Sequence, residues 1–163
     1  MKTSQSQTHD KHFVRRSADA EWIGFSPTSK TRFFDEGGPG IPDLYEDIGA
    51  RGDSPPLHSH PWPSWEIVLE GKVRVQIGDE EVYLEAGDSI YVPPNVPHTV
   101  VIESETARCV GLNMSDGRFP RLQTGAVDIM STPGDPDMAR LAKHAASLEV
   151  TLLGPPIQPK TKL

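Results

Sequence analysis

Polar and apolar residues alternate strictly through Lys72-Val73-Arg74-Val75-Gln76-Ile77. This is the period-two pattern of a strand with one face buried. The alternation returns in Glu81-Val82-Tyr83-Leu84-Glu85, after Gly78-Asp79, a hairpin turn. Upstream, Ile67-Val68-Leu69 runs into the turn Glu70-Gly71. Downstream, Ala86-Gly87-Asp88 turns into Ser89-Ile90-Tyr91-Val92, which Pro93-Pro94 stops. Strands are also predicted over Thr99 to Ile102 and Ala107 to Met114. Phe33-Phe34 predicts a strand ending at Gly37-Gly38-Pro39-Gly40, and Leu44 to Ile48 another. Short strands punctuated this often predict an all-β antiparallel sandwich or barrel and exclude a parallel α/β fold. One helix is predicted, over about residues 136–149. Asp135 is its expected N-cap and Pro136 its first residue, with Met138, Leu141, Ala142, Ala145 and Leu148 on one face. Val150 to Leu153 reads as a last strand or extended tail, and Gly154-Pro155-Pro156 as the end of the ordered chain.

Composition sharpens this picture. Of 163 residues, 16 are Pro, which disfavours long helices. Seven of those prolines (Pro55, Pro56, Pro61, Pro63, Pro93, Pro94 and Pro97) fall in two loops, and none lies between Ser64 and Val92. Proline is thus kept out of the strands, where ladder donors are needed. The formal net charge is −7 and the only basic doublet is Arg15-Arg16, so no nucleic-acid surface is expected. No apolar run is long enough to span a membrane, and the polar N-terminus does not read as a signal peptide. A cytoplasmic location is the expectation. The single Cys109 excludes an internal disulfide and a thiolate-only metal site, and reads as a small buried strand residue. Residues 1–12 read as a flexible N-terminal arm, 13–119 as the barrel, and 120–163 as linker, helix and tail. His9, His12 and His144 fit no ligand pattern and are expected at the surface.

Three other histidines form a candidate site. His58 and His60 are two apart at the start of a strand, so both imidazoles face one side. His98 follows the Pro93–Pro97 loop and completes the set if that segment returns beside the first. Three imidazoles plus one carboxylate suit one divalent transition metal ion: Fe, Mn, Ni, Co, Cu or Zn.

Two motifs carry a family resemblance. His58-Ser59-His60 through Ile67-Val68-Leu69-Glu70-Gly71 is one. Gly87-Asp88-Ser89-Ile90-Tyr91-Val92-Pro93-Pro94-Asn95-Val96-Pro97-His98 is the other. The chain resembles the cupin superfamily over about residues 52–113, and its C-terminal pattern is similar to small single-barrel, quercetinase-like cupins. The resemblance implies a jelly-roll-like antiparallel β-barrel with one C-terminal helix, and a metal on His58, His60 and His98. It also implies a ligand Glu four residues after the second His, where this chain has Ser64. Glu66, two residues on, keeps the same strand face, moved by about 6.6 Å. Glu66 is therefore read in three ways: a metal ligand in slipped geometry, an acid/base beside the metal, or a residue on an outward bulge caused by Pro61 and Pro63. Ser64 is expected to orient a water.

The functional expectation is a metal-dependent oxygenase acting on a small enolisable or aromatic substrate chelated to the metal, with Glu66 as the catalytic base. A dry pocket would draw on Trp62, Trp65, Tyr91, Val100, Leu112 and Met114. Two alternatives stay open: a redox-neutral isomerase, cyclase or lyase using Glu66 as acid/base, or a binding protein for a small ligand without turnover. The resemblance further implies a homodimer, with the segment from Phe13 to Phe34 covering a partner's sheet edge.

Overall fold

The structure is a computed structural model that describes residues 9–162 of the chain. In chain order the strands are β1 (Ile23–Gly24), β2 (Lys30–Asp35), β3 (Asp43–Ala50), β4 (Leu57–Ser59), β5 (Ser64–Glu70), β6 (Lys72–Ile77), β7 (Glu80–Glu85), β8 (Ser89–Val92), β9 (His98–Ile102), β10 (Thr106–Asn113) and, after two helices, β11 (Thr151–Gly154). They form two antiparallel sheets. One has the order β1-β2-β3-β10-β5-β8 and the other β11-β4-β9-β6-β7. The inner faces of both sheets meet in one core. Val68, Ala107 and Cys109 from the first pack against Val73, Val75 and Leu84 from the second. Gly71 links β5 to β6 at φ 84°, and a Cβ there would sit 2.2 Å from the Thr106 carbonyl oxygen, so only glycine fits this turn.

The site half of the first sheet inverts the usual pattern. On β3 and β5 the polar side chains of Asp43, Tyr45, Asp47, Ser64 and Glu66 alternate inward. Trp65, Ile67 and Leu69 face out and are exposed. Ion pairs cross this outer face: Glu46 accepts from Arg32 (2.6 Å) and Arg108 (2.5 Å), and Arg108 also reaches Glu70.

The C-terminal region departs from expectation in three ways. Two helices are present, α1 (Arg118–Met130) and α2 (Met138–Ser147), where one was predicted. The spacing of Phe119, Leu122, Ala126 and Ile129 is helical, but Pro120 and Gly125 disguise it. Pro120 falls in the first turn after the N-cap Gly117, where its missing N–H has no intrahelical partner to lose. Gly125 makes room for α2, since a Cβ there would lie 2.2 Å from His144 Nε2. His144 is accordingly not free at the surface: its Nε2 lies 3.2 Å from the Arg121 carbonyl oxygen. The N-cap of α2 is Asp137, whose carboxylate accepts from the Arg140 N–H at 2.9 Å, so Asp135 and Pro136 precede the helix.

The ordered chain also continues past Pro156. Residues 157–161 lie as a strap over the outer face of the second sheet. The Ser54 hydroxyl accepts from the Ile157 N–H, Arg74 donates to the Gln158 carbonyl (2.6 Å), and the N–H groups of Lys160 and Thr161 donate to Glu103 (3.0 and 2.8 Å). Beneath the strap, Arg74 and Glu103 form a buried ion pair at 2.9 Å. Of the expected N-terminal arm, residues 1–8 lie outside the described residues. His9 is tied down rather than free: its Nε2 lies 2.9 Å from an Asp35 carboxylate oxygen, while His12 is exposed. Among the described residues, no helix is long and apolar enough to cross a membrane.

Candidate metal centre

His58 lies on β4 and His98 opens β9, and the two are cross-strand partners. His60 follows β4 directly. Ring centroids are 4.4 Å apart for His58 and His98, 4.8 Å for His60 and His98, and 5.8 Å for His58 and His60. The last strand, β11, closes this edge by pairing with β4, with Leu152 opposite His58.

Each imidazole is oriented by a backbone carbonyl two residues away. His58 Nδ1 lies 2.7 Å from the Pro56 oxygen, His60 Nδ1 2.9 Å from that of Trp62, and His98 Nδ1 2.8 Å from that of Val96. A carbonyl only accepts, so in the neutral ring Nδ1 carries the proton and Nε2 keeps its lone pair. Trp62 and Val96 each precede a proline, which restricts their backbone to extended conformations and so fixes where these carbonyls point. Burial favours the uncharged rings. It pulls His58 down to about 4 and His60 to about 3, helped by His98, and it lowers His98 as well. The ligand atoms of these three residues lie within 4.8 Å of one another. Three neutral, pre-oriented nitrogens at this separation fit one divalent transition metal ion.

Glu66 does not belong to this group. It lies on the inner face of β5, so the outward-bulge reading fails. Its carboxyl group is buried, which raises its pKa, and it accepts a hydrogen bond from the Cys109 thiol. Ser64 is buried one step nearer the Pro61–Pro63 loop, opposite Asn113.

The expected pocket residues divide by strand phase. Val100 shares the inner face of β9 with His98 and packs against the core. Met114 is half-buried just past β10, its N–H donating to the Pro63 carbonyl at 3.2 Å. Trp65, Tyr91 and Leu112 do not line the interior. Trp65 is the cross-strand partner of both others, its ring lies 5.0 Å from that of Tyr91, and all three take the outward phase of their strands. Trp62 is fully buried and supports the histidines from behind. Its indole stacks on the His60 ring at 4.5 Å and 8°, and it clusters with Ala145, Val150 and the Arg118 guanidinium. It thereby docks the helical segment onto the site.

Tyr45, Asp47 and Asp43 also line the interior and were not apparent from the sequence. Their signal was there in the alternation of β3, but with polar residues at the inward positions it reads as a strand facing the wrong way. Asp47 accepts from the Thr31 hydroxyl, and Asp43 from Asn113 (2.9 Å) and Ser115. Burial pushes Asp47 up to about 7, aided by Glu66, and Asp43 up to about 6 against its hydrogen bonds from Ser115 and Asn113.

A small antiparallel β-barrel is also what comparison with known proteins finds. The cupin domain family matches residues 45–114. Residues 45–114 are a cupin domain. The cupin segment is similar to quercetin 2,3-dioxygenase of Bacillus subtilis (strain 168), 34% identical over 76 residues, or 44% of this chain and 23% of that one. The chain spans less than half the length of the curated relatives it matches. Among solved structures, KdgF from Halomonas sp. aligns with a TM-score of 0.58 at 17% identity, over 63% of this chain and 93% of that one. An RmlC-like cupin from Shewanella frigidimarina NCIMB 400 aligns at 0.55 and 20%, over 63% and 90%. At these identities the structural likeness establishes the fold of the cupin domain and its barrel.

Proposed function

We propose that this chain is a metal-dependent cupin enzyme, most simply an oxygenase, acting on a small enolisable or aromatic substrate. The observation that carries the proposal is the set of three neutral Nε2 atoms, each aimed by a fixed backbone carbonyl. His58, His60 and His98 would hold one divalent transition metal ion; when bound, it supplies Lewis acidity and, if redox-active, dioxygen chemistry. The remaining work falls to the chain. Glu66, outside the ligand set, takes and holds a proton from the substrate at its carboxylate. Val100 and Val68 keep the floor apolar, and the Pro55–Pro56, Pro61–Pro63 and Pro93–Pro97 loops hold the ligand carbonyls in place. The partial likeness to quercetin 2,3-dioxygenase supports oxidation. The separation of Glu66 from the histidines favours a second reading: redox-neutral isomerase, cyclase or lyase chemistry with Glu66 as acid/base. A free carboxylate moves protons better than a ligating one.

The test is elemental analysis of purified protein with His58→Ala and Glu66→Ala, alongside oxygen uptake with quercetin or a β-diketone. Expected are metal in the parent, none in His58→Ala, and metal without turnover in Glu66→Ala. Turnover under nitrogen selects the redox-neutral reading. A parent that takes up no metal under any loading overturns both.

A further inference from the structure

Tyr45 is the most unusual side chain of the barrel interior. It is 6% exposed, and its ring is held between Phe33 (centroids 6.1 Å) and Phe119 (4.8 Å). These contacts need only the ring, and a phenylalanine would make them equally well. The Tyr45 hydroxyl is not among the buried polar atoms left without a partner, so it keeps access for a small molecule. Here Asp47 is served by Thr31, Asp43 by Asn113 and Ser115, and Glu66 by Cys109. No group among the described residues hydrogen-bonds the Tyr45 hydroxyl.

The chain also makes room for this hydroxyl. Tyr45, Gly111 and Glu66 form one cross-strand row over β3, β10 and β5. A Cβ on Gly111 would lie 2.0 Å from Tyr45 Cζ and 2.1 Å from its hydroxyl oxygen. The phenol end therefore lies directly over the central strand, on the line from β3 to Glu66. Glycine in the middle of a strand weakens the sheet and marks a close approach. Tyr45 raises no charge of its own in this wall, and its neighbours Glu66, Asp47 and Asp43 are acids without a cationic partner in their hydrogen bonds. The wall facing the histidine-bearing sheet is thus a row of oxygen groups with one donor left over.

We infer that Tyr45 is a substrate-binding residue, its hydroxyl donating to an oxygen of a small substrate that carries a further oxygen function toward the three histidines. The site then selects compounds with two oxygen functions over mono-oxygenated ones. This rests on the metal-dependent reading above for the second oxygen's anchor, but not for the Tyr45 contact itself.

The experiment uses the full chain carrying 13Cζ-labelled tyrosine, metal-free and Zn(II)-loaded, titrated with acetylacetone and, separately, acetone. Tyr83 and Tyr91 are exposed and serve as internal references. Tyr45→Phe identifies the third signal and keeps the packed ring. The expected result is a saturable shift of the Tyr45 signal with acetylacetone, absent with acetone. Affinity measured by calorimetry should be about tenfold weaker in Tyr45→Phe, the loss of one hydrogen bond, with Zn(II) content unchanged. A Tyr45 signal unmoved by acetylacetone in both forms, or equal affinity in Tyr45→Phe, overturns the inference. If the protein takes up no Zn(II) yet the metal-free form shows the shift, the Tyr45 contact stands and the metal-dependent reading fails.

Discussion

Replacing Gly111 by alanine tests the geometry on which the interior of the barrel depends. Its backbone is ordinary extended strand, so the new methyl is opposed only by what it meets. It would lie 2.0, 2.1 and 2.5 Å from Cζ, Oη and Cε1 of Tyr45, where ordinary contact is 3.4–4 Å. An overlap of more than 1 Å must be relieved by moving the ring, and Phe33 and Phe119 block the way. Overpacking of this kind costs about 1–3 kcal/mol. For a chain of this size that lowers the melting temperature by roughly 3–10 °C. In a Tyr45→Ala background the obstacle is gone. There Gly111→Ala should stabilise by up to ~1 kcal/mol, because alanine restricts the unfolded chain. The assay is a double-mutant cycle by thermal and urea unfolding of the metal-free protein, and the cycle should give a coupling of about 1–4 kcal/mol. If Gly111→Ala costs the same with and without Tyr45, the two side chains do not meet, and the inferred position of the phenol is wrong.

Other outcomes follow from the charged groups and the outer face. Glu103 is buried, which alone would raise its pKa, but hydrogen bonds from Thr161, Lys160 and Arg74 hold it down to about 2. Its folded pKa is below the ordinary value, so its stabilisation is present above about pH 4.5 and is lost as pH falls toward 2; circular dichroism should show that loss flattened in Glu103→Gln. Asp47 has the opposite sign. Its pKa is raised to about 7, so the folded state binds the proton more tightly and metal-free protein loses stability as pH rises from about 4 to 7. Asp47→Asn should remove that slope and be more stable at pH 8 by on the order of a few kcal/mol, and an unchanged urea midpoint at pH 8 would contradict this. We expect a homodimer through the exposed face of Trp65, Ile67, Leu69 and Tyr91. Light scattering should give about twice the 17.9 kDa chain mass and one chain mass for Trp65→Asp; a monomeric parent refutes it.

Much of the fold was legible because the second sheet obeys the simple rule. Val73, Val75, Val82 and Leu84 face the core and the residues between them face out, so β6, β7 and their Gly78-Asp79 turn could be placed almost to the residue. The histidines were legible for the same reason, since a spacing of two on a strand dictates a common face. The first sheet hid its role because it reverses the rule. Trp65, Tyr91 and Leu112 look like pocket residues by chemistry but stand in the outward phase. Tyr45 and Asp47 look like solvent-facing residues but stand in the inward one. Helix α1 was concealed by two helix-breakers used where they do no harm. The strap over Arg74 and Glu103 has no periodicity at all, and depends on backbone groups that every sequence possesses.

Trp62 gives the cupin domain an optical readout of its own centre. Its indole is sealed from water and lies parallel to the His60 imidazole at 4.5 Å, whereas Trp22 and Trp65 are partly solvated. Its emission therefore belongs at the blue edge of the tryptophan band, apart from the other two. An ion on the far nitrogen of that imidazole alters the ring against which the excited indole relaxes. An ion held by the three histidines would thus be reported by light from a residue that does not ligate it, on the side that also carries the helices.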